Sequence, residues 1–238
     1  AAAVDAASGR ASRGPLVELD SGQQEVLRWV AIVTMVVDHV GAVLLPPADA
    51  LPLRAVGRVA WPLFAFLLAY NVARRGVDPR RYLTPLLLWC AVATLPHYLA
   101  FQRPVVNILG TLFLGAAALA LLAKRRELEA RSPLAVPVGL AGVLVASAFV
   151  EYGPPGVALV LVWWWALKTG EPAALLATAL VVAWQNHPWV VWPATLAALP
   201  LPFVVARLPV GLPRSGRLPW LFYPTHLAML VAIDRLLT

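Results

Sequence analysis

RWVAIVTMVVDHVGAVLL, residues Arg28–Leu45, is a run in which only Arg28, Asp38 and His39 carry ionisable side chains. A membrane-spanning helix needs about 20 apolar residues, with about 17 as a lower limit, and this stretch is long enough. Eight similar runs follow, separated by charged or Pro- and Gly-rich breaks: Leu53–Asn71, Leu83–Ala100, Val105–Ala123, Leu134–Val150, Gly156–Leu167, Ala173–Trp184, Val190–Ala206 and Pro219–Leu236. The pattern predicts an all-α, polytopic integral membrane bundle of about nine transmembrane helices. The sixth and seventh runs are short for a span, and the eighth holds Pro193, Pro200 and Pro202. Broken or re-entrant segments are expected there, which a bilayer tolerates where the backbone faces protein or a water-filled cavity.

Composition points the same way. Of the 238 residues, 61% are hydrophobic and 13% charged, against about 25% charged in a soluble domain. Lipid must therefore solvate most of the surface. The formal net charge of +7 does not indicate a nucleic-acid partner, because the arginines sit in short clusters between apolar runs. Cys90, the single cysteine, excludes an intrachain disulfide and a multi-cysteine metal site. Residues 1–22 contain no apolar stretch and read as a disordered cytoplasmic tail rather than a signal peptide. Residues 23–238 then form one membrane domain, with its first apolar run as a signal anchor.

Fifteen of the nineteen Lys and Arg residues fall in one alternating set of segments. These hold Arg10, Arg13 and Arg28, then Arg74, Arg75, Arg80 and Arg81, then Lys124, Arg125, Arg126 and Arg131, then Lys168, and then Arg207, Arg214 and Arg217. Arg54, Arg58, Arg103 and Arg235 fall in the other set. The excess of Lys and Arg on cytoplasmic loops places the N-terminus inside and the C-terminus outside. Trp29 and Trp220 then open helices at the inner headgroup level, with Trp189 and Trp192 at the outer one.

Ionisable groups within a bilayer are costly and face the bundle interior or an aqueous cavity. His39 lies 11 residues past Arg28, about 16 Å along a helix, which is mid-membrane or slightly outward. A polar contact between helices, with Gly41 allowing close approach, explains one such residue. Two adjacent ionisable residues exceed that need and point to a functional site. Residues i and i+1 diverge by about 100° around a helix, so Asp38 and His39 meet different neighbours. Arg58 stands five residues into the second run and Asp38 seven from the outer end of the first. In an antiparallel hairpin these depths agree within about 3 Å, so a buried Asp38–Arg58 pair is expected, serving either packing or catalysis. His226 follows Pro224, which bends a helix by removing a backbone hydrogen bond. It is either a satisfied core histidine or part of a site with Tyr223 and Thr225. His97 and Tyr98, Asn107 and Thr111, Glu151 with Tyr152, and Asn186 with His187 stand at outer helix ends, where together they line one outward-facing cavity. No P-loop, GxGxxG, HExxH or GxSxG occurs, and the histidines and carboxylates have no metal-ligand spacing.

Several ordered strings resemble the TraX-like membrane proteins, named for the F-pilin acetylase of conjugative plasmids. They are Leu27–Ile32 through Asp38-His-Val-Gly41, Arg54–Phe66 with Gly57-Arg58 and Trp61-Pro62, and Arg81-Tyr82-Leu83. Then come Asn107-Ile-Leu-Gly-Thr111, Glu151-Tyr-Gly153, and Phe222-Tyr-Pro-Thr-His226. Their order and spacing hold from about Gln24 to the C-terminus. The resemblance implies an acetyltransferase of the bacterial inner membrane. It would move an acetyl or acyl group from cytoplasmic acetyl-CoA or another acyl-CoA to an amine or hydroxyl at the outer face. The acceptor would be a pilin-like peptide or a cell-surface glycan. Pro96-His97-Tyr98 stands where relatives carry an acidic residue, and Glu151 where an Asp is common, so the acceptor is open.

Acyl transfer from a thioester requires a base for the attacking amine or hydroxyl, and histidine suits neutral pH. The expectation is that His39 is that base, organised by Asp38 and Arg58, with either Asp38 or Glu151 as the orienting carboxylate. His226 is expected to contact the thioester or act as a second acid/base, and Asn107, Thr111 and Tyr223 to bind the donor. A proton-coupled transporter also buries Asp, His and Arg, but the chain shows no related halves. A scaffold for pilus or secretion assembly needs no buried histidine.

Overall fold

The computed structural model describes residues 16–186 and 192–237; His187 and Trp189 lie outside them, as do residues 1–15 of the expected tail. Helices dominate. They are α1 (Ser21–Leu44), α2 (Pro47–Gly57), α3 (Ala60–Ala73), α4 (Arg80–Phe101), α5 (Ile108–Ala123) and α6 (Arg125–Arg131). They continue with α7 (Ala135–Ser147), α8 (Gly153–Thr169), α9 (Pro172–Asn186), α10 (Trp192–Leu196), α11 (Leu201–Val205) and α12 (Leu218–Leu237). Among the described residues, three segments are long and apolar enough to cross a membrane: α1, the nearly continuous Pro47–Ala73, and α4. A fourth is added if α5 and α6, bent by 69° at their junction, count as one span. The later apolar runs are helical but shorter, so the nine runs do not amount to nine full-length spans. The run at 190–206 is divided into α10 and α11, in keeping with its three prolines.

Apolar side chains left exposed recur at helical spacing. Leu88, Val92 and Leu95 do so on α4, Val138, Leu144 and Val145 on α7, and Leu176, Leu180 and Trp184 on α9. Such faces are stable where lipid tails cover them. The inward faces pack round α3, whose Phe66 meets Trp163 of α8 edge-on with ring centroids 5.1 Å apart. Gly115 lets α5 lie against Val160 of α8, where an added Cβ would come within 2.9 Å.

The basic segments gather at one end of the bundle. Asp20 caps α1 in a reciprocal capping box with Gln23, and Gln23 also reaches the carbonyls of Ala206 and Leu208. Glu25, fully buried, holds Arg28 and the Ser215 hydroxyl. The Tyr70 hydroxyl binds both backbone groups of Leu19, and Val17 and Leu19 are buried. Packing thus begins before residue 23. At this end α12 starts beside α1, and the two run in parallel, so the depths of His39 and His226 coincide.

One segment departs from the expected run. Residues 103–107 are extended rather than helical, and Val106 pairs with Phe149 and Glu151 through two backbone hydrogen bonds of 2.9 and 2.8 Å. The chain thereby turns back into the bundle. The Asn107 amide donates to the carbonyl of Cys90, halfway along α4, at 3.0 Å, and its oxygen caps the Leu109 amide. α5 therefore starts at mid-depth.

Gly57 fixes the α1–α2 hairpin. A Cβ there would fall 2.1 Å from the Asp38 Cβ and 2.7 Å from its Cα, and helix backbone cannot give way by that much. Gly57→Ala is expected to lower stability by about 2 kcal/mol or more, read as the unfolding midpoint in detergent against wild type.

Candidate active site

The expected pair forms. Arg58 Nη2 donates to both oxygens of Asp38, at 2.8 Å each. Arg54, one turn earlier on α2, brings its Nε to 3.6 Å from the same carboxylate. Asp38, 7% exposed, therefore holds two guanidiniums, and its oxygens are spent on them.

His39 faces elsewhere, as the turn between neighbouring residues requires. Its Nδ1 lies 2.7 Å from Nε2 of His226. The two rings share one plane to within 2°, with centroids 5.0 Å apart, which is an edge-to-edge hydrogen bond and not a face stack. The other His226 nitrogen, Nδ1, is 2.9 Å from the Phe222 carbonyl. A carbonyl can only accept, so a neutral His226 carries its proton on Nδ1 and presents a lone pair at Nε2. His39 then donates from Nδ1 and keeps its own lone pair on Nε2. The tautomers follow from the hydrogen-bond chain.

This corrects the expected orienting group. Neither the Asp38 nor the Glu151 carboxylate hydrogen-bonds or ion-pairs with His39 among the described residues; a second histidine, held by a backbone carbonyl, fixes its ring. The two belong to helices separated by almost the whole chain.

Two cavities flank the pair. One, of about 310 Å³, opens toward the basic end, with Arg28, Asn71 and Tyr82 at that side and Ile32, Met35, Leu68, Leu109, Leu112 and Tyr223 deeper in. The other, of about 260 Å³, is lined by Asp38, Arg54, Arg58, His97, Phe101, Arg103, Glu151, Tyr152 and Gln185. Neither touches the His39 ring. Met35, one turn before it, lines the first, and Asp38 and Ala42 line the second. Phe101 closes the outer side, edge-on to His39 at 5.1 Å, and Tyr223 closes the inner side, 5.6 Å from His226 and 6.4 Å from His39 between ring centroids. The imidazole pair lies behind Tyr223 on the side of the apolar inner cavity and behind Phe101 on the side of the polar outer one.

The remaining expected residues scatter round this pair. Glu151 lines the outer cavity with its carboxylate 3.6 Å from Nε2 of His97, which is 2% exposed. Tyr223 is buried, and its hydroxyl sits beside the Ile108 amide at the start of α5 without completing a hydrogen bond. Asn107 is fully buried, bonds to Cys90 and Leu109 at the start of α5 and lines neither cavity, so it positions α5. The Thr111 hydroxyl is buried and unpartnered; its methyl packs against Gly156 of α8, and the residue lines neither cavity. Sequence reasoning missed Phe101, Arg54 and Arg103 as cavity residues. Only the place of Arg54 and Arg103 in the outer set of segments signalled them, and nothing signalled Phe101. Among the described residues no group of three His, Cys, Asp or Glu side chains could hold a metal ion.

Comparison with known proteins places this geometry. A 48-residue stretch is 38% identical to Uncharacterized protein RP591 of Rickettsia prowazekii (strain Madrid E). It covers 20% of this chain and 18% of that protein. No solved structure matches significantly. Residues 23–234, which include both histidines, the Asp38–Arg58 pair and both cavities, match the family described as TraX protein. The chain is a membrane protein of the TraX family.

Proposed function

We propose that the protein is an integral membrane acyltransferase of the bacterial inner membrane. It takes an acetyl or acyl group from a cytoplasmic acyl-CoA and delivers it to an acceptor at the outer face. The basic end of the bundle is then cytoplasmic, and the C-terminus lies outside. The observation that carries this reading is the His39–His226 pair standing between two cavities of opposite character. In a membrane, an imidazole with a free lone pair at such a boundary serves a proton transfer better than it serves packing.

The step follows from the tautomers. An acceptor O–H or N–H reaching past Phe101 gives its proton to His39 Nε2 as its oxygen or nitrogen bonds to the thioester carbon. Electron density moves onto the carbonyl oxygen. When the carbonyl re-forms, the C–S bond breaks and CoA leaves as the thiolate. His226 Nε2 holds the His39 Nδ1 proton throughout and keeps the ring in place. Asp38 and Arg58 hold the hairpin that carries His39.

Tyr223 is the group best placed for the developing oxyanion. A buried hydroxyl without a partner costs about 1–3 kcal/mol, a cost explained if a ligand oxygen completes it. Tyr223→Phe is therefore expected to leave stability unchanged or raised while lowering kcat by about tenfold or more. Unfolding midpoint and turnover, measured on one preparation, check this; a parallel fall in both would make the hydroxyl structural.

The direct test of the reading is thiol release from acetyl-CoA by the purified protein in lipid nanodiscs with candidate acceptors. Acceptor-dependent release supports it. Solute uptake into proteoliposomes with no acyl chemistry would replace it with transport.

A further inference from the structure

The outer cavity carries an excess of positive charge. Three guanidiniums, Arg54, Arg58 and Arg103, line it against two carboxylates, Asp38 and Glu151. Asp38 is engaged by Arg58 at 2.8 Å and by Arg54 at 3.6 Å. Glu151 faces His97 at 3.6 Å. That leaves Arg103 with no ion pair or hydrogen bond of its own among the described residues, at an exposed position on the re-entrant 103–107 segment. Arg54, Arg58 and Arg103 share this lining, so like charges crowd one wall. In the same cavity the Gln185 amide oxygen is buried and unpartnered.

These groups ask for two things from a ligand. One is a negative charge to relieve the guanidiniums, and charge-assisted bonds to Arg are among the stronger polar contacts. The other is an N–H or O–H donor for Gln185. A free amino terminus brings an ammonium, which like charges on this wall disfavour. We infer that the outer cavity binds a hydroxyl-bearing acceptor with its own carboxylate or phosphate, with Arg103 as the residue that selects it. The inference rests on the acyltransferase reading for the word acceptor, but the anion site itself does not.

The test uses the full chain in nanodiscs of zwitterionic lipid. Binding is followed by intrinsic tryptophan fluorescence, and turnover by thiol release from acetyl-CoA. The probes are glucuronate against its methyl ester, glycerol 1-phosphate against glycerol, and a short neutral peptide with a free amine. One of the two anions should bind about tenfold tighter than its neutral counterpart, and which one does so distinguishes an acidic sugar from a phosphoglycerol headgroup. Arg103→Gln should bring each pair within about twofold, and Arg103→Glu should reverse the order; Arg103 is exposed, so both variants are expected to fold. Equal binding of acid and neutral probe by wild type, or tighter binding of the peptide amine, would overturn the inference. Anion binding that depends on Arg103 without any thiol release would leave the anion site standing and remove the acyltransferase reading instead.

Discussion

His39→Ala is expected to lower acyl transfer by about 10³-fold in kcat, with the protein still folded and inserted. The substitution removes the Nε2 lone pair that accepts the proton, and it also takes the donor away from His226 Nε2. A second variant separates the two losses. His39→Asn keeps an N–H that can reach His226 but offers no base of comparable strength, so it should be as inactive as the alanine variant while holding α1 and α12 together more firmly. His226→Ala acts indirectly, because His39 keeps its lone pair and loses only the acceptor that fixes its tautomer. Its loss should be nearer tenfold. A His39→Ala protein turning over at close to the wild-type rate would end the proposal that this ring is the base. Equal losses for both histidines would mean the proton travels through the pair and does not rest on one ring.

The sequence carried some of this site and hid the rest for physical reasons. Asp38 and Arg58 could be matched because a hairpin with a short turn fixes the relative depth of two helices by counting residues. His39 could be placed near mid-membrane and His226 inside the last helix, but depth does not say which helices are neighbours in a bundle, and 187 residues separate them. Asn107 was misleading in another way. It reads as a polar group at an outer helix end, yet the extended 103–107 segment carries it back to Cys90. Pro104 and the left-handed Gln102, at φ 51°, end α4 there. Hydropathy alone does not distinguish an extended re-entrant segment from the first turn of a helix. The helical class was legible from composition. The number of full spans was not, because a short apolar run fits equally well as a broken, tilted or peripheral helix.

Breaking the buried ion pair is the other change expected to have a large effect. Arg58→Met leaves Asp38 with only Arg54, whose Nε is 3.6 Å away, in place of two bonds at 2.8 Å. Removing one partner of a buried pair typically costs about 3–5 kcal/mol, and Arg54 should keep the loss near the lower figure. Unfolding by SDS in mixed micelles measures it. The double variant Asp38→Asn with Arg58→Met removes the stranded charge together with its partner, and apolar or neutral replacements of such pairs are often close to neutral. It should therefore recover most of the stability lost by Arg58→Met alone. A double variant no more stable than the single would show that Arg58 acts through packing and not through its charge. Activity then separates the two roles left open for the pair. If Asp38 and Arg58 only pin α1 to α2, the restored double variant transfers acyl groups at near the wild-type rate. If their charges shape the outer wall beside His39, it folds and stays slow. The second outcome is the expected one under the proposed reaction, because both side chains line the outer cavity, which is the acceptor's route in that proposal.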